Sequence, residues 1–156
     1  MQHAAIYKAP WGNLYVQETN GHLQQIRTFS GTDSVSEPNS FLTAVFQQLD
    51  EYFAGKRQTF DLPLDLQGTE FQMQVWKLLK HIPYGKTLSY NQLATAYGNP
   101  KTIRAVAAAN GANPILIVIP CHRVIGSNGQ LVGYAGGMTA KKQLLLLEGA
   151  LPPELF

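Results

Sequence analysis

The sequence predicts an α/β (α+β) fold in two domains. Residues 1–67 read as a small antiparallel sheet with one helix. Residues 68–156 read as a mostly helical, winged-helix-like domain that carries a helix-turn-helix. Three observations predict this. Short strand-like runs joined by turn residues fill positions 3–28, one of them the hairpin dipeptide Asn20-Gly21. A single apolar stripe of helical period follows at 41–53. After Gly68, cap residues and glycines recur at helix-length intervals.

The elements follow in order. Strands are expected at 3–8, 13–18 and 22–28, and Ser30 to Pro38 is turn-rich. Asn39 opens a helix with Phe41, Leu42, Val45, Phe46, Leu49 and Phe53 on one stripe, and Gly55 ends it. Residues 57–68 connect to the second half. Thr69 caps a helix over 70–80, which Pro83-Tyr84-Gly85 breaks. Ser89 caps a short helix from Tyr90 to Ala96, ended by Gly98. Asn99-Pro100 opens the next, through Ala108 to Gly111, so 89–110 is the helix-turn-helix candidate. Ile115 to Ile119 is a short apolar segment stopped by Pro120. Val124-Ile125 and Leu131-Val132 flank Gly126 to Gly129 as an expected hairpin or wing. Gly133 to Gly137 is a loop, and a last helix runs from about Thr139 to Glu148, closed by Gly149.

Composition narrows the class. The chain has 156 residues, 45% hydrophobic and 14% charged, against roughly 25% charged in ordinary domains. So apolar a chain buries enough surface to fold, which excludes intrinsic disorder. No run approaches the ~18 apolar residues of a membrane span, and no membrane partner is expected. Met1-Gln2-His3-Ala4 lacks the signal-peptide pattern, so a cytoplasmic location is expected, nucleoid-associated or, in a eukaryote, nuclear. One cysteine excludes a disulfide within the chain and a multi-cysteine zinc site. Charge is unevenly spread: residues 1–65 carry −3 and residues 66–156 carry +5, with no acid between Glu70 and Glu148. That asymmetry points to a polyanion partner, although a chance basic bias fits the counts equally well.

Cys121 is the one thiol, and a lone cysteine is most often a small buried hydrophobe. Its setting differs. Pro120 turns the chain at the end of an apolar segment, and His122 and Arg123 are expected to lower the thiol pKa. Neighbours in extended chain point opposite ways, so His122 acts on Cys121 only through a sharp turn or a bridging water. Glu148 sits where a helix dipole disfavours an acid. It is either a solvated surface residue or the partner that orients and charges His122.

Pro120-Cys121-His122-Arg123-Val124-Ile125-Gly126 lies between Asn113-Pro114 and Gly133-Tyr134-Ala135-Gly136-Gly137. With Ile82-Pro83-Tyr84-Gly85, Ser89-Tyr90 and Gly98-Asn99-Pro100-Lys101, it resembles the O-6-alkylguanine-DNA alkyltransferase family, the methylated-DNA–protein-cysteine methyltransferases. The resemblance covers most of residues 68–150. Residues 1–67 match only in length and strand–helix order.

The resemblance implies DNA repair by one stoichiometric transfer of a methyl or larger alkyl group to Cys121. The donor is O-6-alkylguanine, and also O-4-alkylthymine, in a nucleotide flipped out of the duplex. It implies that His122 is the water-linked base, Glu148 its acidic partner and Asn113 the hinge of the cysteine turn. Tyr90 donates to the leaving guanine ring. Arg104 is the finger that replaces the flipped base, with Tyr90, Asn91, Asn99, Lys101, Thr102 and Ser127 also on DNA. Val124, Tyr134 and Ala135 form the pocket, Ala135 standing where relatives often have Ser. The partner implied is double-stranded DNA bearing alkylated guanine, held through its minor groove by a monomer. No cofactor and no metal are implied. Two other readings stay open: a winged-helix regulator using 89–132, and a relative that binds lesions without transferring alkyl groups.

Overall fold

The computed structural model describes residues 1–129 and 131–151. Gln130, inside the expected wing, and residues 152–156 of the second expected domain lie outside them. The chain divides into two compact units, Met1–Leu66 and Gln67 onward.

In the first unit, β1 (Gln2–Ala9), β2 (Gly12–Thr19) and β3 (His22–Thr28) form an antiparallel meander in the order β1-β2-β3. Asn20 and Gly21 take φ of 51° and 79°, the left-handed pair that a tight two-residue hairpin requires. This pairs Thr19 with His22, and the register shifts once between Gln17 and Glu18. α1 (Ser40–Phe53) starts at Asn39, whose side chain accepts from the Leu42 N–H. Its buried residues Leu42, Val45, Leu49 and Tyr52 join Ala5, Leu14, Val16, Leu23 and Ile26 of the sheet in this unit's core. Tyr7 reaches from the sheet to Asp50 of α1 at 2.7 Å, which satisfies a buried phenol.

The second unit holds α2 (Glu70–Leu79), α3 (Tyr90–Tyr97), α4 (Ile103–Gly111) and α5 (Met138–Leu147). Thr69 and Gln72 close one capping box, and Ser89 and Gln92 close another. Gly98 ends α3 in the left-handed conformation. Asn99 caps a 3-10 turn, Pro100–Thr102, where the sequence predicts the first turn of an α-helix; α4 begins after it. Trp76 of α2 donates its indole N–H to the Ala109 carbonyl at 2.8 Å, which fixes α2 against α4. No helix among the described residues is long and apolar enough to cross a membrane.

The short apolar segment Ile115 to Ile119 is a run of tight turns. One expectation is corrected here. The wing hairpin is absent from the described residues. Val124–Ile125 (β5) pairs instead, in parallel, with Leu88–Ser89 (β4), and Leu131-Val132 carries no strand. The physical reason is Lys141. Its ammonium binds the carbonyls of Val124, Val132 and Gly133, acceptors that a β-ladder would otherwise use.

Gly68 tests the packing of α2. A Cβ there would lie 2.6 and 2.7 Å from two carbons of the Trp76 ring, and the ring is tied down by its bond to Ala109. Gly68→Ala should cost about 1–3 kcal/mol in urea unfolding. An unchanged midpoint would show that the ring is free to move.

Candidate active site

Cys121 stands at the end of a chain segment folded more tightly than any helix. The Val118 N–H bonds the Leu116 carbonyl at 2.8 Å, closing a three-residue turn around Ile117 at φ 73°. A β-branched residue there is strained by roughly 1–3 kcal/mol, so its surroundings must hold it. A second three-residue turn follows around Pro120, closed by the Cys121 N–H on the Ile119 carbonyl at 2.8 Å. Cys121, His122 and Arg123 then form one 3-10 turn.

Asn113 holds this segment with every polar atom of its side chain. Its amide donates to the Ile119 carbonyl at 2.7 Å and to Cys121 Sγ at 3.1 Å. Its oxygen accepts from the Ile115 N–H at 3.0 Å. The strained turn and the position of the sulfur are therefore fixed by the same amide.

Glu148 caps the C-terminus of α5 and is buried. One carboxylate oxygen accepts from Arg123 Nε at 2.8 Å. The other accepts from Arg123 at 3.0 Å and lies 2.8 Å from His122 Nε2. Burial pushes its pKa up, but the hydrogen bonds from His122 and Arg123 outweigh this and hold it at about 2. The carboxylate is thus ionised and only accepts, so His122 Nε2 carries the proton. Burial keeps His122 below its usual pKa, and the ring is neutral. Nδ1 is left as the basic nitrogen, with no hydrogen-bond partner among the described residues. Arg123 completes the cluster by donating to the Ile82 carbonyl at 2.6 Å.

The thiol departs from the sequence expectation. Burial raises its pKa to about 11, and the Asn113 hydrogen bond and the Lys141 charge only soften that rise. Arg123, expected to lower it, spends its charge on Glu148. At neutral pH the resting sulfur carries a proton, and a thiolate forms only when that proton is taken.

Around the sulfur lie Tyr90, Tyr134 and Lys141, each electrostatically coupled to Cys121. Tyr90 donates to the Val132 carbonyl at 3.2 Å, and burial followed by the Cys121 charge raises its pKa. Tyr134 lies edge-on to His122 with ring centres 6.3 Å apart, and its hydroxyl is buried without a partner among the described residues. Gly136 permits this: a Cβ there would sit 2.7 Å from the Tyr134 ring. Ala135 is exposed. Val124 is buried, its N–H on the Cys121 carbonyl and its own carbonyl on Lys141.

The residues expected on DNA lie elsewhere. Asn91, Asn99, Lys101 and Arg104 are exposed along α3, the 3-10 turn and α4, beside exposed Ala105 and Ala108. Asn99 and Thr102 also build their own turn, through Lys101 N–H to Asn99 Oδ1 at 3.0 Å and Thr102 Oγ1 to the Asn99 carbonyl at 2.6 Å. Ser127 is exposed on a separate turn, closed by the Gly129 N–H on the Gly126 carbonyl.

Sequence reasoning missed two residues. Lys141 is one of the basic residues in the +5 balance of residues 66–156, yet it is 0% exposed, and burial pulls its pKa down to about 8. The signal was present: Lys141 shares the buried stripe of α5 with Leu144, Leu145 and Glu148. Asn110, also buried, is hydrogen-bonded to Tyr90. It ends an alanine run where a buried amide has no packing purpose.

The Glu148 cluster sets an acid limit. A carboxyl held near 2 in the fold, against an ordinary 4.5, contributes stability above 4.5 that is lost as pH falls toward 2. Glu148→Gln should remove that acid-sensitive portion. At neutral pH it should also cost about 3–5 kcal/mol in urea unfolding, because Arg123 is left buried and unpaired. A variant with the wild-type acid profile would contradict the pairing.

Comparison with known proteins assigns the two units separately. The family model of the 6-O-methylguanine DNA methyltransferase ribonuclease-like domain matches residues 3–66, and that of the DNA binding domain matches residues 70–150. The methylated-DNA–protein-cysteine methyltransferase of Methanosarcina acetivorans is 44% identical over 152 residues, 94% of this chain and 97% of that protein. The constitutive enzyme of that name from Bacillus subtilis is 42% identical over 157 residues, 94% of each chain. The crystal structure of Mycobacterium tuberculosis OGT in complex with DNA matches with a TM-score of 0.86 and 45% identity, covering 98% of this chain and 97% of that one. With both units matched end to end, and a lone cysteine in the second, the chain belongs to the 6-O-methylguanine DNA methyltransferase family, the methylated-DNA–protein-cysteine methyltransferases.

Proposed function

We propose that this protein repairs DNA by moving an alkyl group from O-6 of guanine to Cys121, once per molecule. Family membership supports methyl transfer to a protein cysteine, with DNA as the partner. The observation that carries the residue assignment is the sulfur held by Asn113 beside a histidine whose free nitrogen is Nδ1.

The proton leaves Sγ for His122 Nδ1 through a bridging water, since adjacent side chains of the turn make no direct bond. The imidazolium that forms lies 2.8 Å from the Glu148 carboxylate, and the Lys141 charge opposes the cost of the thiolate. A thiol near 11 needs such coupling, because only about one molecule in ten thousand is otherwise ionised at pH 7. The thiolate attacks the alkyl carbon in line as the bond from carbon to O-6 breaks. The bonding electrons stay with guanine. Tyr90, kept protonated by burial, turns its hydroxyl from Val132 and donates to the ring, so no free anion departs. The product is a thioether, which has no proton to lose and does not turn over.

In-line approach requires an extruded nucleotide. Exposed Arg104 on α4 fills the gap in the stack, and the small residues Ala105 and Ala108 let this helix approach the minor groove. The protein acts as a monomer in the compartment that holds the DNA. O-4-alkylthymine is a second substrate of the same pocket.

Incubation with duplex DNA containing O-6-methylguanine should place one methyl group on Cys121, read by peptide mass spectrometry. Cys121→Ala should abolish transfer and keep binding. Arg104→Ala should slow transfer from the duplex about tenfold and leave transfer from a free O-6-benzylguanine base unchanged. An unmethylated Cys121 at stoichiometric protein overturns the proposal.

A further inference from the structure

We infer that Tyr84 is a positioning residue for the transfer: its ring covers the Arg123–Glu148 pair on the solvent side and keeps water from the carboxylate that holds His122. The inference rests on the alkyl-transfer reading above and deepens it.

Pro83 to Lys86 is a four-residue turn, closed by the Lys86 N–H on the Pro83 carbonyl at 3.1 Å. Gly85 takes its third position at φ 81°, a conformation that favours glycine. The turn is laid against the end of α5. A Cβ on Gly85 would lie 3.1 Å from the Glu148 carbonyl oxygen, and the Tyr84 hydroxyl donates to the Leu147 carbonyl at 3.3 Å. Just before the turn, the Ile82 carbonyl accepts from Arg123 at 2.6 Å. One short stretch, Ile82 to Gly85, therefore meets both members of the pair.

A guanidinium carries its N–H groups in its plane, and its faces have none. Arg123 spends in-plane donors on both Glu148 oxygens and on Ile82. A face left over is covered either by water or by an apolar group. The Tyr84 ring lies over it, with its centre 5.8 Å from Cζ, within reach of cation–π attraction. Tyr84 is half-buried, while Arg123 is 7% and Glu148 5% exposed. The ring thus stands at the boundary between the pair and the solvent. Burial followed by the Glu148 charge raises the Tyr84 pKa, and the Arg123 charge opposes the rise, so the phenol lies in the field of both.

This cover bears on the reaction through His122. When Nδ1 takes the thiol proton, Glu148 at 2.8 Å stabilises the imidazolium, and that attraction is strong only where water is excluded. Water admitted at the Arg123 face would screen the carboxylate and offer its oxygens other donors. His122 would then be held less firmly in the tautomer that presents Nδ1. The hydroxyl bond of 3.3 Å is long, so the ring carries the effect more than the hydroxyl does.

The test has two readings. One is exchange of the His122 Nε2 proton with water in the resting protein. The other is single-turnover transfer from free O-6-benzylguanine, which needs no base flipping. The Trp76 indole proton, bonded to the Ala109 carbonyl in the same unit, reports opening of that unit as a whole. Tyr84→Leu should speed exchange at His122 at least about tenfold, keep Trp76 within about twofold and slow transfer about tenfold. Tyr84→Phe keeps the ring and should hold both readings within about twofold of wild type. If the leucine variant does not fold, Tyr84→Phe alone decides. A folded Tyr84→Leu protein with wild-type exchange or wild-type transfer overturns the inference. So does one in which the His122 and Trp76 protons accelerate together, or a Tyr84→Phe protein that loses either reading. Absence of transfer by the wild type overturns the parent reading instead, and the shielding is then judged on exchange alone.

Discussion

The carboxylate of Glu148 is buried, and burial alone would neutralise it. His122 and Arg123 prevent that by giving it hydrogen bonds on both oxygens, so a fixed negative charge persists at the base of the site. Three consequences follow from that one charge. The imidazole is locked with its proton toward Glu148 and its lone pair away from it. Arg123 is drawn inward and, through Ile82, anchors the chain that follows α2. The end of α5 is tied to the cysteine turn, although a carboxylate at a helix C-terminus is otherwise unfavourable. Removing the acid would therefore disturb tautomer, packing and turn together.

The loops around the sulfur are held by side chains in place of a β-ladder. Asn113 spans the Ile115–Cys121 turns, and Lys141 gathers three carbonyls of the later loop. This arrangement suits a nucleophile that must project from a strained turn, since a regular strand would turn its side chains alternately away. It also separates the cations by role. Arg123 and Lys141 neutralise and organise the interior, while Lys101 and Arg104 remain exposed on the helix-turn-helix face. The +5 balance of the second half thus overstates the charge available to a polyanion.

The helices were legible because their ends are local. Thr69-Gln72, Ser89-Gln92 and Gly98 decide helix boundaries by chemistry within four residues, and Asn20-Gly21 decides a hairpin within two. The wing was not legible, because the residue that cancels it, Lys141, lies on another helix. Nor was the thiol's true state. Adjacent basic residues argued for a lowered pKa, but Arg123 pairs with an acid 25 positions away and burial dominates. Glu148 could be suspected because its position opposed a helix dipole. Asn110 could not, since a lone amide ending an alanine run has no meaning until its free oxygen is seen beside Tyr90.

The central claim is that a neutral His122, protonated on Nε2 toward Glu148, presents Nδ1 as the base for Cys121. Nitrogen-15 NMR of the His122 ring in the unalkylated protein at neutral pH tests it most directly. The account predicts a proton on Nε2 and the shift of an unprotonated nitrogen at Nδ1, with Glu148→Gln disturbing both signals. A ring protonated on both nitrogens, or one with the proton on Nδ1, would contradict it.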